Sequence, residues 1–536
     1  MHYARRILTL VLVAGLFLGG LAVVGQAAGT IRIGAHLDSL NLTPYNYVTG
    51  TPGYRKMTLV YDSLLYGDAD NIPQPWLAET AELSDDGLVW TFKLREGIEW
   101  HDGEPFTAYD VKFSYEYYVQ YPMGRFQGPI ERAVDRVWAV DDLTVVMHLK
   151  QADPAFRFDL ADIPILPMHI WKDITDPDNA LDPAITIGTG PYKLVTYREA
   201  ELYRFESNPG YFKGEPLFDT VIMPVILDQT AMFTALKVGD IDATTLALSA
   251  ELVAEFEAVD GLEIASGPGF RSTILVFDNE LYPLSVREFR QALAYAVDPQ
   301  DLVDTLLLGY GAVGNMGYYH PATPWFNPAT EQYEQDFDAA NAILDNLGFL
   351  DVDGDGMRET PAGEQILLPI LCRAGTALRI RSAEIISTWF EEIGINAPAQ
   401  AMEWTSQVAL TWPDFDVRNG RDYAIGIWGW SPPSMFTPWG PTKMWHSDMD
   451  AGYLNIVGFS DPAVDALVDE MFATGDQAEL ERIADELQVL VADGVPFITL
   501  FYGDQIFAYQ SDAHDAWVFR KGEGIHDKLS MIDQGE

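Results

Sequence analysis

The chain of 536 residues contains one cysteine, Cys372, so no disulfide can form within it. Deep in the sequence, Cys372 reads as a small buried hydrophobe and not as a reactive thiol. Basic residues are also scarce: 33 Lys and Arg stand against 80 Asp and Glu, for a formal net charge of −47. This excludes nucleic acid as a partner, because phosphate binding needs basic stripes. It argues equally against docking on anionic lipid. The excess suits a soluble monomer, or an acidic surface tuned to a cationic ligand. Catalytic signatures are missing: there is no nucleophile elbow, no His-Glu-x-x-His and no phosphate-binding loop. With so many carboxylates, some pair will always sit at a glycosidase-like separation, so their number is no sign of hydrolysis. No repeat and no low-complexity linker interrupts the sequence.

What is present is ample for packed domains: 48% of residues are hydrophobic and 12% aromatic. The length exceeds one ordinary core, so two or more lobes are expected. Met1–Ala28 reads as a secretory signal, with Arg5 and Arg6, the apolar run Ile7–Val24, and small residues at Gly25-Gln26-Ala27. An uncleaved anchor is the alternative. With no cysteine nearby to carry a lipid, the expected product is a free, soluble protein, best suited to a Gram-negative periplasm.

Strands and helices alternate, which predicts α/β lobes. Thr30–Ala35, Val89–Leu94, Val145–Leu149, Lys193–Tyr197 and Pro496–Tyr502 read as strands, and Trp90, Phe92 and Leu94 share one face. Thr107 with Asp110 offers a capped helix start. Val286–Val297 and Leu302–Leu308 carry helical periodicity with Pro299 as the break. Ser382–Ile393, ended by Gly394, and Ala478–Val491 are further helices.

Several segments together resemble the bacterial extracellular solute-binding protein family 5, which includes oligopeptide, dipeptide and nickel receptors of ABC importers. They are Pro75-Trp76-Leu77-Ala78-Glu79, Ser84–Leu88, Trp90–Gly97, Trp100-His101-Asp102-Gly103-Glu104-Pro105-Phe106-Thr107-Ala108 and Asp110–Ser114. Gly188-Thr189-Gly190-Pro191-Tyr192, Asn208–Gly214, Arg287–Asp298 and Gly494–Ile498 extend the likeness in order over nearly all of the mature chain. The resemblance implies a two-lobed periplasmic-binding-protein fold (class II-like) that encloses a ligand and closes on a hinge. It places the inner part of the first lobe at 29–67, 188–279 and 501–536, an inserted subdomain at 68–187, and the second lobe at 280–500. Two crossings, near Phe277–Tyr282 and Phe497–Tyr502, would form the hinge. The Pro75–Ser114 motif reads as structural, and His101 as a packed or surface histidine.

Two constellations remain. Asp351-Val352-Asp353-Gly354-Asp355-Gly356-Met357-Arg358-Glu359 resembles the start of a calcium loop, with Asp351, Asp353, Asp355, Met357 and Glu359 at ligand positions. The twelfth position is Ala362, so a structural Ca²⁺ and a plain Asp-Gly turn both stand. No cofactor is required. The second is aromatic: Trp428 and Trp430 alternate onto one face and lead into Ser431-Pro432-Pro433-Ser434-Met435-Phe436. The corresponding strand-to-loop segment borders the cleft in the family, so Trp430, Ser431 and Phe436 are expected at the ligand. Trp428, Trp404, Tyr45 and Tyr47 are further candidates, with core packing as the alternative for each. Peptide receptors of the family usually place an acidic residue just after this strand for the ligand's ammonium, yet no Asp or Glu occurs from Tyr423 to Ser447. The expected ligand is therefore an oligopeptide or an oligosaccharide, handed on to ABC transporter permease subunits. An exported hydrolase of peptides or glycans is the rival, and a chaperone-like or adhesive protein a third reading.

Overall fold

The structure is a computed structural model that describes residues 29–47 and 51–533; the expected signal, Met1–Ala28, lies outside the described residues. Two strands set the architecture, Leu262–Phe277 of 16 residues and Phe497–Gln510 of 14. Both are rich in β-branched and aromatic residues, and they pair antiparallel from Leu262↔Gln510 to Val276↔Phe497. Around them lies an 11-stranded sheet. Ile425–Trp428, Ile370–Arg373 and Ala399–Met402 extend it on one side, and Ala243–Thr244, Thr30–Gly34, Thr220–Pro224, Leu202–Ser207 and Tyr192–Arg198 on the other, while Gly311–Val313 pairs off this path with the second long strand.

The two long strands change register along their length. Pairing slips between Gly267 and Arg271. There Phe270 adopts φ of 53°, a left-handed conformation that costs a non-glycine residue energy. A Cβ on Gly269 would lie 2.3 Å from the Gly503 carbonyl, so only glycine allows the strands to pass at this point. The segments near Phe277–Tyr282 and Phe497–Tyr502, where the hinge crossings are expected, hold the following pairs. Phe277 still pairs with Ile425, and Phe497 with Val276, because apolar strand residues continue there.

Beside the first lobe stands a four-stranded sheet in the order Ala78–Leu83, Val89–Leu94, Thr144–Leu149, Val134–Asp141. Trp90, Phe92 and Leu94 are buried in a core shared with Ile31, Ile33, Tyr203 and Phe205 of the large sheet. The helix Ala108–Gln120 opens where Asp110 accepts the Thr107 N–H at 2.9 Å, as its sequence predicts. Pro299 differs from expectation: it begins the helix Pro299–Leu306, capped by Asp298, because proline's missing N–H is harmless in a first turn.

The motif segments converge. Asp62, fully buried, accepts from Trp76 Nε1 at 2.8 Å, Thr189 Oγ1 at 2.8 Å and Tyr211 OH at 2.9 Å, and from the Lys528 ammonium. His101 clasps the Gly188–Gly190 turn: its Nδ1 accepts from Gly188 N, and its Nε2 lies 2.9 Å from the Gly190 carbonyl. Burial pushes the imidazole down to about 4. These residues bind the chain to itself.

Candidate functional site

Between the lobes lies a cavity of about 510 Å³. Tyr54, Arg125 and Phe158 line it from one side, and Pro433, Phe436 and Trp439 from the other. Phe158 meets Trp439 edge-on across the gap, with ring centroids 6.3 Å apart. Lys521 reaches from the first lobe to the Ala322 carbonyl at 3.0 Å. A second cavity of about 410 Å³ adjoins the first through Arg55 and Glu523, which line both. It runs past His36, Lys56 and Thr245 to Arg271 and Gln505 at the register change.

Each carboxylate that lines these cavities already has a cation. Asp159 pairs with Arg132 at 2.5 Å, Asp162 with Arg125 at 2.6 Å, Glu523 with Arg55 at 2.6 Å, and Asp450 with Arg418. Behind Arg55, burial opposes the charge of Asp527, but Arg55 and Arg520 outweigh it and hold that carboxyl near about 2. The cleft wall is a preformed ionic lattice.

The aromatic candidates divide. Phe436 lines the larger cavity. Trp430 is partly exposed but lies outside both cavity linings; its ring meets Trp412 at 5.7 Å and Trp428 at 6.3 Å, and its backbone N–H donates to Ser272 Oγ at 3.0 Å, next to cavity-lining Arg271. Ser431 is exposed on the same loop. Trp428 is 2% exposed and stacks on Trp404 at 5.0 Å, so it packs the second lobe while Trp404 covers it. Tyr45 and Tyr47 are buried in the first lobe's core: Tyr45 lies against Tyr117, Tyr118 and Trp171, and Tyr47 against Tyr54 and Phe126. Neither is part of the cavity lining; these aromatic neighbours cover them. Lys56 and Arg271 were missed by sequence reading. Their signal was scarcity, since isolated cations stand out in so acidic a chain.

Carboxylate oxygens of Asp351, Asp353 and Asp355 lie within 4.8 Å of one another on an exposed loop. Asp351 accepts from Gly354 N and Gly356 N, and Asp355 from Met357 N. Glu359 stays outside this group, because its side chain turns back to accept from Val352 N at 2.8 Å. Cys372 is fully buried, and burial raises its pKa.

Residues 73–452 match the model of the bacterial extracellular solute-binding proteins, family 5 (middle region). The chain belongs to this family. The oligopeptide-binding protein AppA of Bacillus subtilis is 26% identical over 435 residues, covering 80% of this chain and 77% of that protein. The structure of the ABC transporter substrate-binding protein CtaP from Listeria monocytogenes superposes with a TM-score of 0.81 at 25% identity, covering 94% of this chain and 99% of that one. A mannohexaose-bound periplasmic oligopeptide-binding protein from Thermotoga maritima shares the fold, with a TM-score of 0.68 at 23% identity and coverage of 95% and 99%. The two-lobed α/β fold is thus that of the family, whose members are extracytoplasmic substrate-binding components of ABC importers and not enzymes. Among the described residues, no helix is long and apolar enough to cross a membrane.

Proposed function

We propose that this chain captures an oligopeptide or an oligosaccharide between its lobes, closes on the register change at Gly267–Arg271, and delivers the ligand intact to a membrane permease. Closure of this kind is a population shift, driven by contacts that exist only when both lobes engage the ligand. One observation carries the reading: the larger cavity is lined from both lobes, the smaller one adjoins it, and the carboxylates of both are already matched to arginines. A free α-ammonium buried there would need an unpaired carboxylate. The ligand is therefore held without anchoring such a group, through aromatic faces and hydrogen bonds. Calorimetry with di- to pentapeptides, free and N-acetylated, beside cello- and manno-oligosaccharides tests this. The reading expects acetylation to leave peptide affinity within a few-fold; abolition of binding by acetylation would overturn it.

A further inference from the structure

A separate cavity, of about 530 Å³, meets the larger cleft cavity only at Tyr66 and Gly67, which line both. None of its other lining residues belongs to either cleft cavity. Three of the motif segments build it: Pro75–Glu79 supplies Trp76, Trp90–Gly97 supplies Arg95, and Asn208–Gly214 supplies Phe212 and Lys213. Tyr66, Trp76, Leu529 and Ile532 form a buried apolar cluster at this place, and Phe212 and Val518 pack against it. The Trp76 indole N–H is already given to Asp62, so what Trp76 offers the pocket is apolar ring surface.

Two cations stand on this apolar wall without a counterion. The Lys213 ammonium donates to the Pro75 carbonyl at 3.3 Å and lies 4.6 Å from the Trp76 ring centroid. Arg95 donates its Nε to the Trp76 carbonyl at 2.7 Å, and its guanidinium carbon lies 5.9 Å from the Phe212 ring centroid. Among the described residues neither side chain has an ion pair, and the two terminal nitrogens of Arg95 have no hydrogen-bond acceptor. The one carboxylate on the lining, Asp68, is turned to the N–H groups of Asp70 and Ile72 and to Gln74 Nε2. Asp62, behind Trp76, is filled by Lys528 and its other donors. Burial, and then the charge of Arg95, lower the pKa of Lys213. Like charges held together against an apolar wall are costly, in a chain with 80 acidic side chains and 33 basic ones. An anion in the pocket removes that cost.

We propose that this pocket is a second binding site, outside the cleft, for a small oxyanion carried on a ring, its carboxylate or phosphate held by Arg95 and Lys213 and its ring against Phe212, Val518 and Ile532. The guanidinium and ammonium select the oxyanion. The aromatic and aliphatic lining selects a flat apolar body. An occupant ties three motif segments to the Leu529–Ile532 end of the chain, so it stabilises the fold by mass action. The site is independent of capture between the lobes.

The test uses the full mature protein with benzoate, phenyl phosphate and, as their neutral counterpart, benzyl alcohol. Binding is read by saturation-transfer NMR titration and by melting shift, for wild type, Lys213→Gln and Val518→Trp. The first variant removes a cation and the second fills the pocket; both positions are partly exposed, and the ligand-free melting temperature checks that each folds. The proposal expects at least one of the two anions to bind tenfold or more tightly than benzyl alcohol, and to lose tenfold or more of its affinity in each folded variant. Lys213→Gln alone decides if Val518→Trp does not fold. The benzoate and phenyl phosphate arms separate a carboxylate from a phosphate. Binding that is unchanged in the variants would place the anion elsewhere and overturn the site. Equal binding of anionic and neutral probes, or no binding of either anion, would also overturn it, and each of these outcomes leaves the receptor reading standing.

Discussion

Lys528 donates its ammonium to Asp62, and both side chains are completely withdrawn from solvent. The contact joins the start of the first lobe to the end of the chain, and the Trp76, Thr189 and Tyr211 side chains complete the carboxylate's shell. Asp62→Ala leaves a buried ammonium without its counterion, so it should cost about 3–5 kcal/mol of stability. Denaturant unfolding should show the loss, and Asp62→Leu with Lys528→Met should recover much of it. A single variant within 1 kcal/mol of wild type (a rough threshold) would mean that this cluster does not hold the lobe together.

This cluster also explains what was legible in the sequence. The Pro75–Ser114, Gly188–Tyr192 and Asn208–Gly214 segments stand out as motifs because they must meet around Asp62 and His101. Gly188 and Gly190 sit against Val60 and Leu59 carbonyls, where a Cβ would intrude at 1.8 and 2.4 Å. Alternation found Thr30–Gly34 and Val89–Leu94, and periodicity with Gly394 found the helix Ala377–Glu392. The strand read as ending at Tyr502 runs on to Gln510, through polar Gln505 on the lining of the smaller cavity, where a strand need not be apolar. Lys56 and Arg271 are far apart in sequence, and only the topology brings them to one pocket.

The tryptophans should separate by role. Trp430→Ala should weaken ligand binding by on the order of 2 kcal/mol, roughly 30-fold, with the fold intact. Trp428→Ala should lower stability by about 3–5 kcal/mol, since it empties a packed site against Trp404. Calorimetry and thermal melting of both variants check this; the reverse pattern would move Trp430 into the core.

Acid should destabilise the protein above the range of its carboxylates. Burial lowers His101 to about 4, His320 to about 4 and His526 to about 3, all below the unfolded value of 6.5. Between those values and 6.5 the unfolded chain binds more protons, so stability rises with pH there and is lost as pH falls below about 6.5. Each such histidine contributes up to about 1.4 kcal/mol per pH unit in that window. Melting temperatures from pH 7.5 to 4.5 should fall, and His101→Gln should flatten the slope if it folds. A flat profile in wild type would contradict neutral burial of these rings.

The most direct test of the receptor account is native mass spectrometry of the protein isolated from its extracytoplasmic compartment, before and after denaturation. The account predicts a stoichiometric small molecule that is released intact on unfolding and that raises the melting temperature when added back to stripped protein. No bound molecule, together with steady turnover of added peptides or oligosaccharides, would contradict it.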